Sequence, residues 1–238
     1  MEYFECPVVC TLERKETPLI SKVPTDDFTA MVEANFDYDF NGESKFYPYA
    51  FPSCLSDLQF NILVITGASG KGKSTFLKEF KNYRANCKHY DDSKAIVSNF
   101  QTPEEASNKL SAVGLNSLPV WCRPRNVLSV GEGFRADIAL NLDSYTIFDE
   151  FTSTIDRNVA KSTCNGVQKY IKKNNLHNIV FCSCHKDYIP YIKPDYVIDL
   201  DKEKIFDCRG ACLGELLNSK SMSQATKRFG VYLGSIII

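Results

Sequence analysis

The chain has 238 residues, enough for one large domain or two small ones, and its 44% hydrophobic and 24% charged content is that of a globular, water-compatible fold. A formal net charge of −1 excludes a global basic field of the kind that draws nucleic acid, leaving only a local patch for that purpose. No apolar run approaches the roughly 20 residues of a membrane span, and Met1-Glu-Tyr-Phe-Glu-Cys6 carries no basic segment or apolar core of a signal peptide.

The ten cysteines are numerous for this length, but their spacing is not that of a metal site. Cys6/Cys10 and Cys208/Cys212 are four apart, and no C-x-x-C pair exists. Cys182-Ser-Cys184-His185 falls in a strand-like run, where free cysteine behaves as a small apolar residue. The reading is reduced thiols in a cytoplasmic protein.

Residues 1–59 are read as an N-terminal β-layer, with Pro7–Arg14 as an edge strand. Residues 26–52 are dense in aromatics, and Asn41-Gly42 marks a turn among them. Tyr47 and Tyr49 are candidates to stack on a base; the alternative is that these rings pack the β-layer. Residues 60–207 form the core. Phe60–Thr66 is an apolar, β-branched strand, and a glycine-rich turn follows that fits G-x-x-x-x-G-K-[ST] at Gly67, Gly72, Lys73 and Ser74. Glycines let backbone N–H groups curl around phosphate oxygens, with Ser69, Gly70 and Thr75 in the same loop and helix start. Lys73 supplies a charge for the β- and γ-phosphates, and the Ser74 hydroxyl suits Mg²⁺. A helix is predicted from Ser74 to about Arg84, on the stripe Phe76, Leu77, Phe80 and Tyr83.

Ala95–Phe100 reads as a short strand ending at Gln101. Thr102-Pro103-Glu104-Glu105 caps a helix that runs to about Val113 and stops at Gly114. Leu128-Ser129-Val130-Gly131-Glu132 leads into a helix through Leu142. Tyr145–Phe148 is a buried strand ending in Asp149 and Glu150, and Ser153–Asp156 is a turn before a helix over 158–172. Asn178–Cys184 is a strand ending at His185, and 196–200 with 204–206 form a late hairpin. Alternating strands and helices define an α/β fold with a mainly parallel sheet. Residues 208–238 are a C-terminal extension, whose Ile236–Ile238 is read as a packed last strand or the place where a longer chain was cut.

In such sheets ligands bind at the carboxyl ends of the strands, where Gly67, Gln101, Asp149 and His185 are all expected. Asp149 is placed for Mg²⁺, directly or through water. Glu150 is placed to take a proton from an attacking water. Gln101 is a candidate to orient that water or touch the metal, and His185 to bond the γ-phosphate.

The ordered set resembles the ATP-binding-cassette (ABC) ATPases. Gly67–Ser74 matches Walker A, Gln101 the Q-loop, Leu128–Glu132 the signature with Val130 as its departure, Phe148–Glu150 the end of Walker B, Ser153–Asp156 the D-loop, and His185 the switch histidine. The resemblance implies a P-loop NTPase fold with ATP and Mg²⁺ as ligands. It implies Lys73, Gln101, Glu150 and His185 as catalytic groups, and Ser74, Gln101 and Asp149 at the metal. It also implies that Ser129, Gly131 and Asp156 contact nucleotide across a head-to-tail homodimer. Trp121–Pro124, Phe134–Ala136, Asp156-Arg157 and Pro194-Asp195 look like small soluble ABC-type ATPases of microbes and their viruses, sometimes fused to or near acetyltransferase-like domains.

Only 28 positions separate Lys73 from Gln101, and another 28 separate Gln101 from Ser129. That gap holds one helix and a loop, a reduced helical insert. A transporter cassette carries a larger one for its membrane partner, and no heptad-rich insert of the DNA-repair relatives is present. The alternatives are a P-loop kinase acting on a nucleoside or small acceptor, and a transporter's nucleotide-binding subunit. The effector of the ATPase is left as an unknown protein or nucleic acid.

Overall fold

The computed structural model describes residues 3–85 and 87–210, so 211–238, including Ile236–Ile238, lie outside the described residues. In chain order the elements are β1 (Val8–Thr11), β2 (Leu19–Lys22), α1 (Asp27–Phe36), β3 (Glu43–Phe46), α2 (Ser53–Ser56), β4 (Ile62–Thr66), α3 (Lys73–Leu77) and β5 (Arg84–Ala85). There follow α4 (Pro103–Ala112), α5 (Leu118–Trp121), α6 (Val130–Asn141), β6 (Thr146–Phe148), α7 (Arg157–Lys173), β7 (Ile179–Ser183), α8 (Ile189–Ile192), β8 (Tyr196–Asp199) and β9 (Lys204–Asp207).

Seven strands form the central sheet in the order β1-β9-β8-β4-β7-β6-β5. The pairs from β8 to β5 are parallel, and β9 and β1 add antiparallel edges. Every residue of β4, β6, β7 and β8 is buried. That is why these strands are continuous apolar runs rather than alternating ones: both faces are covered. Ile62, Val64, Phe148 and Phe181 face the layer of α4, α6 and α7. Their neighbours Leu63, Ile65, Ile147 and Val180 face Phe76, Leu77, Phe80 and Tyr49.

In the first layer α7 crosses α4 at Gly166. A Cβ there would lie 2.0 Å from the Ala112 carbonyl oxygen, and Thr163 Oγ1 donates to Val113 O at 3.3 Å beside it. Gly166→Ala is therefore expected to cost about 1–3 kcal/mol as the helices are forced apart. Urea unfolding measures this, and an unchanged midpoint would show that the crossing yields freely.

The hairpin β8–β9, the capped α4 and the helix after Ser129 lie where the sequence places them. Three features differ. The helix after the glycine turn ends at Leu77, well short of Arg84. Past it the N–H groups of Lys78, Glu79 and Phe80 reach back three residues instead of four. The tighter path sets the Phe76, Phe80 and Tyr83 rings edge to face.

Residues predicted as a strand over 95–100 form a 3₁₀ turn, Ile96–Asn99. The Asn99 amide donates to Ala95 O at 2.9 Å and accepts from Asp91 N at 2.7 Å, local bonds that replace a ladder. Gln101 therefore follows a turn, not a strand end.

The N-terminal segment is split. β1 runs along β9 as the edge of the central sheet, while β2 and β3 make a separate two-stranded antiparallel layer. Between them stands α1, where only strands were expected, started by a capping box of Asp26 and Thr29. Cys10 of β1 and Cys54 of α2 bring their sulfurs against each other, and Cys6, Cys164, Cys182 and Cys208 are buried and free. Among the described residues no helix is long and apolar enough to cross a membrane.

Candidate nucleotide site

Because β4, β6, β7 and β8 run parallel, the loops that leave them emerge at one edge of the sheet. These loops begin at Gly67, Asp149, Cys184 and Leu200. The glycine turn after β4 holds Gly70 and Gly72 at φ of 79° and 89°, in the left-handed region that side chains resist. The first N–H groups of α3 have no partner within the helix and are available to a ligand at this turn.

Lys73 is buried, with its Nζ donating to Gly67 O at 2.9 Å and Ala68 O at 3.0 Å. Ser74 Oγ donates to Asp149 Oδ2 at 3.2 Å, joining the turn to the end of β6. The other Asp149 oxygen accepts from Glu150 N at 2.9 Å. Glu150 itself has φ of 50°, a tight reversal immediately after the strand. Burial first, then the negative Asp149, push the Cys182 thiol up and keep it neutral beside that carboxylate.

Ser69, Gly70, Gly72, Lys73, Ser74, Thr75, Glu150 and Phe46 line one pocket of about 320 Å³. Phe46 is the residue that sequence reasoning missed. It ends β3 and lies so close over Gly72 that a Cβ there would meet its Cζ at 2.4 Å. Tyr49, a sequence candidate for base stacking, is instead core. Its hydroxyl donates to Leu200 O at 2.9 Å, and burial, ahead of its Glu203 hydrogen bond, pushes it up to about 12. Tyr47 is exposed and its carbonyl accepts from Arg14. The available signal for Phe46 was its place in the aromatic-dense segment upstream of the glycine turn.

A second unforeseen group braces the turn. Asp201 accepts from Ala68 N at 3.0 Å, and Lys186 Nζ bonds Asp201 at 3.1 Å and Asp199 at 3.2 Å. The Ala68 N–H, ahead of Lys186, holds the Asp201 carboxyl below the usual carboxylate range. For Lys186 burial pulls the ammonium down, but the bond to Asp201 and the charges of Tyr3 and Asp199 outweigh it and the net shift is upward. The segment after His185 is thus tied to the glycine turn. The legible signal was an acid directly after an apolar strand, the same pattern that singles out Asp149.

Gln101, Ser129, Gly131, Asp156 and His185 do not line this pocket. Gln101 donates its N–H to Glu105 Oε2. Ser129 is the N-cap of α6 in a capping box with Glu132, whose carboxyl is held low by the Ser129 hydroxyl and then its N–H. Gly131 lies in the first turn of that helix, and Arg125 grips Asp137 through two bonds of 2.8 and 2.6 Å to fix the approach to it. Asp156 caps α7, accepting from Asn158 N at 2.8 Å. The His185 N–H donates to Ser183 Oγ at 3.1 Å, and Arg157 joins Asp187 to the turn after Glu150 through Thr152 O.

Neither protein-family models nor curated proteins match this sequence. Solved structures do. The dimeric structure of MJ0796, described as a bacterial ABC transporter cassette, is 13% identical with a TM-score of 0.51, over 84% of this chain and 100% of that one. A post-hydrolysis dimer of the same cassette, bound to ADP and Pi, gives 13% and 0.50 with the same coverage. The complex of an archaeal ribosomal stalk protein with an archaeal ribosome recycling factor gives 16% and 0.49, over 67% of this chain, which spans 38% of that chain's length. The central sheet, its helices and the glycine turn thus share the P-loop fold of the MJ0796 cassette structures.

Proposed function

We propose that this chain is a soluble, cytoplasmic ABC-type ATPase that binds ATP with Mg²⁺ and hydrolyses it as a head-to-tail homodimer, a nucleotide-gated clamp. The observation that carries the reading is the 3.2 Å bond between Ser74 Oγ and Asp149 Oδ2, with Glu150 lining the same pocket. Two hard oxygen donors meeting at a phosphate-binding turn fit Mg²⁺, which when bound would neutralise charge on the β- and γ-phosphates. Ser74 and Asp149 would hold it; Gln101 is not beside them and would have to arrive from its loop.

Lys73 would exchange its two loop carbonyls for phosphate oxygens, and the amides from Gly72 to Thr75 would cradle the triphosphate. Glu150 would accept the proton of the attacking water, with His185 meeting the γ-phosphate. Phe46 is the aromatic placed to meet the nucleotide. A pocket of about 320 Å³ is at the low end for ligand clefts, and neither Ser129 nor Gly131 lines it. A second chain supplying its Ser129–Glu132 end, and Asp156 beside it, would complete the site. The working unit is the core over 60–207 with its N-terminal layer over 1–59, and the clamp would act on a protein or nucleic-acid effector.

The test is phosphate release per chain as a function of chain concentration, at saturating ATP and Mg²⁺. A shared site gives a specific rate that rises with concentration before levelling. A rate independent of concentration, at levels where the chain is monomeric, overturns the dimer; release that requires a small-molecule acceptor overturns the ATPase in favour of a kinase.

The brace on the glycine turn gives a separable prediction. Asp201→Asn weakens the link to Lys186 and Ala68 while leaving every pocket residue in place. With Asp201 about a third exposed, KM for ATP is expected to rise roughly fivefold with kcat changed less than about twofold. Steady-state kinetics read both, and an equal fall in kcat would assign Asp201 a part in the chemical step.

A further inference from the structure

The segments that carry Glu150 and His185 leave the central sheet side by side, because β6 and β7 pair in parallel with Phe148 opposite Phe181. The first segment is strained. Glu150 has φ of 50° and Thr152 φ of 67°, left-handed backbone that glutamate resists and a β-branched threonine resists more. Such backbone persists only where the surroundings over-determine it. Part of the restraint is local: the Ser153 N–H and hydroxyl both donate to Glu150 O, at 3.1 and 2.7 Å. Phe151 N donates to Cys182 O at 2.8 Å and so fixes the turn against β7.

The rest comes from Arg157, the first residue of α7. Its Nη1 donates to Thr152 O at 3.0 Å. Its Nε donates to Asp187 Oδ2 at 3.0 Å and its Nη2 to Asp187 Oδ1, a two-pronged grip on the residue two past His185. The guanidinium, first through those hydrogen bonds, holds the Asp187 carboxyl below the usual carboxylate range. Apolar packing follows the same line, with the Tyr188 ring edge-on to Phe151 at 5.3 Å between centroids. Tyr188 is buried, and among the described residues its hydroxyl has no hydrogen-bond partner, so it adds packing alone. Among the described residues, the hydrogen bonds between 149–157 and 185–189 run through Arg157.

We infer that Arg157 is a positioning residue for hydrolysis: it ties the strained turn after Glu150 to the segment that starts at His185, so that the two side chains keep one fixed relation. This rests on the reading of Glu150 as the base. Arg157 does not line the phosphate pocket and acts through Thr152 and Asp187. Its shape matters as much as its charge. A lysine keeps the cation, but a single ammonium on a flexible stem does not reproduce the planar fork that meets two carboxylate oxygens and a carbonyl together.

The test is the kinetics of ATP hydrolysis by the full chain. Arg157→Lys is expected to lower kcat roughly 10- to 100-fold, the loss that about an ångström of misplacement brings, with KM for ATP changed less than about twofold because Lys73, Ser74 and Asp149 are untouched. Asp187→Asn cuts the same grip from the other side and is expected to act in the same direction; it carries the test if Arg157→Lys does not fold. The two side chains are 35% and 43% exposed, so thermal midpoints should move little. A merely structural role lowers the rate by the same factor whatever stands at position 150. Positioning of the base gives a different result: in a Glu150→Gln chain, followed by single-turnover release of labelled phosphate, Arg157→Lys should cost less than about threefold more. If Glu150→Gln itself leaves the rate unchanged, the base assignment and this inference fall together. If Glu150→Gln slows release but Arg157→Lys keeps kcat, raises KM instead, or costs its full factor in both backgrounds, this inference alone is overturned.

Discussion

Glu150→Gln is expected to slow phosphate release by about 10²–10⁴-fold, the usual contribution of a positioned general base, while ATP affinity changes by less than about threefold. The separation follows from where the side chain stands. Glu150 lines the pocket, but the contacts that would hold phosphate and metal belong to Lys73, Ser74 and Asp149. Glutamine has the same shape and retains the backbone N–H that bonds Asp149 Oδ1 at 2.9 Å. It also fits the φ of 50° no worse than glutamate does. What is lost is the capacity to accept a proton from water, together with one negative charge beside the γ-phosphate. Phosphate release and titration with a fluorescent ATP analogue measure the two quantities on one sample. If release falls only a few-fold, the base is another group; His185, which follows the adjacent strand, would be the next to replace. If affinity collapses with the rate, Glu150 is part of the binding frame rather than a base.

The parts of this site that could be read from the sequence are those whose physics is local. A buried strand shows as an apolar run over 62–66, and the glycines of the turn follow from the backbone angles that a phosphate cradle needs. The position of Asp149 and Glu150 is legible because acids directly after an apolar run mark where a buried strand ends. The N-cap of α4 is legible because Thr102, Pro103 and Glu105 each serve the first helical turn, and Thr102 does accept from Glu105 N. The features that escaped depend on partners far along the chain. Asp201 and Ala68 are 133 positions apart, so the acid after the apolar strand is legible but its partner is not. Tyr49 is removed from the site by Leu200 and Glu203, and its place by the pocket is taken by Phe46 three residues earlier. The helix after the turn was overestimated because its apolar stripe continues past Leu77, although the backbone there tightens to pack Phe80 and Tyr83. For α1 the signal was present, in Asp26 and Thr29 at capping spacing, but the aromatic density of the segment favours strand by propensity. On the helix Phe28 and Phe36 are exposed rather than packed in a core.

Lys73→Ala is expected to lower ATP affinity by more than about 100-fold, the largest single effect on binding. Among the described residues the buried ammonium bonds two neutral acceptors, Gly67 O at 2.9 Å and Ala68 O at 3.0 Å, both in the turn itself. Exchanging them for phosphate oxygens turns neutral-acceptor bonds into charge-assisted ones at a desolvated position, where such bonds are worth about twice as much. Alanine removes the cation and leaves the carbonyls of Gly67 and Ala68 to find other donors. Lys73→Arg should rescue little: the guanidinium is planar and wider than an ammonium, and the space beside Gly72 is already met by Phe46. Thermal shift gives the readout, since a ligand at 100 times its Kd stabilises the folded state by about 2.7 kcal/mol. The wild-type chain should gain several degrees with ATP and Mg²⁺, and the alanine variant none at the same concentration. A variant that still gains the full shift would place the triphosphate away from this turn, and with it the roles given to Ser74, Asp149 and Glu150. A variant that loses the shift yet keeps its ligand-free melting point would show that Lys73 is held at the turn for a ligand rather than for the fold.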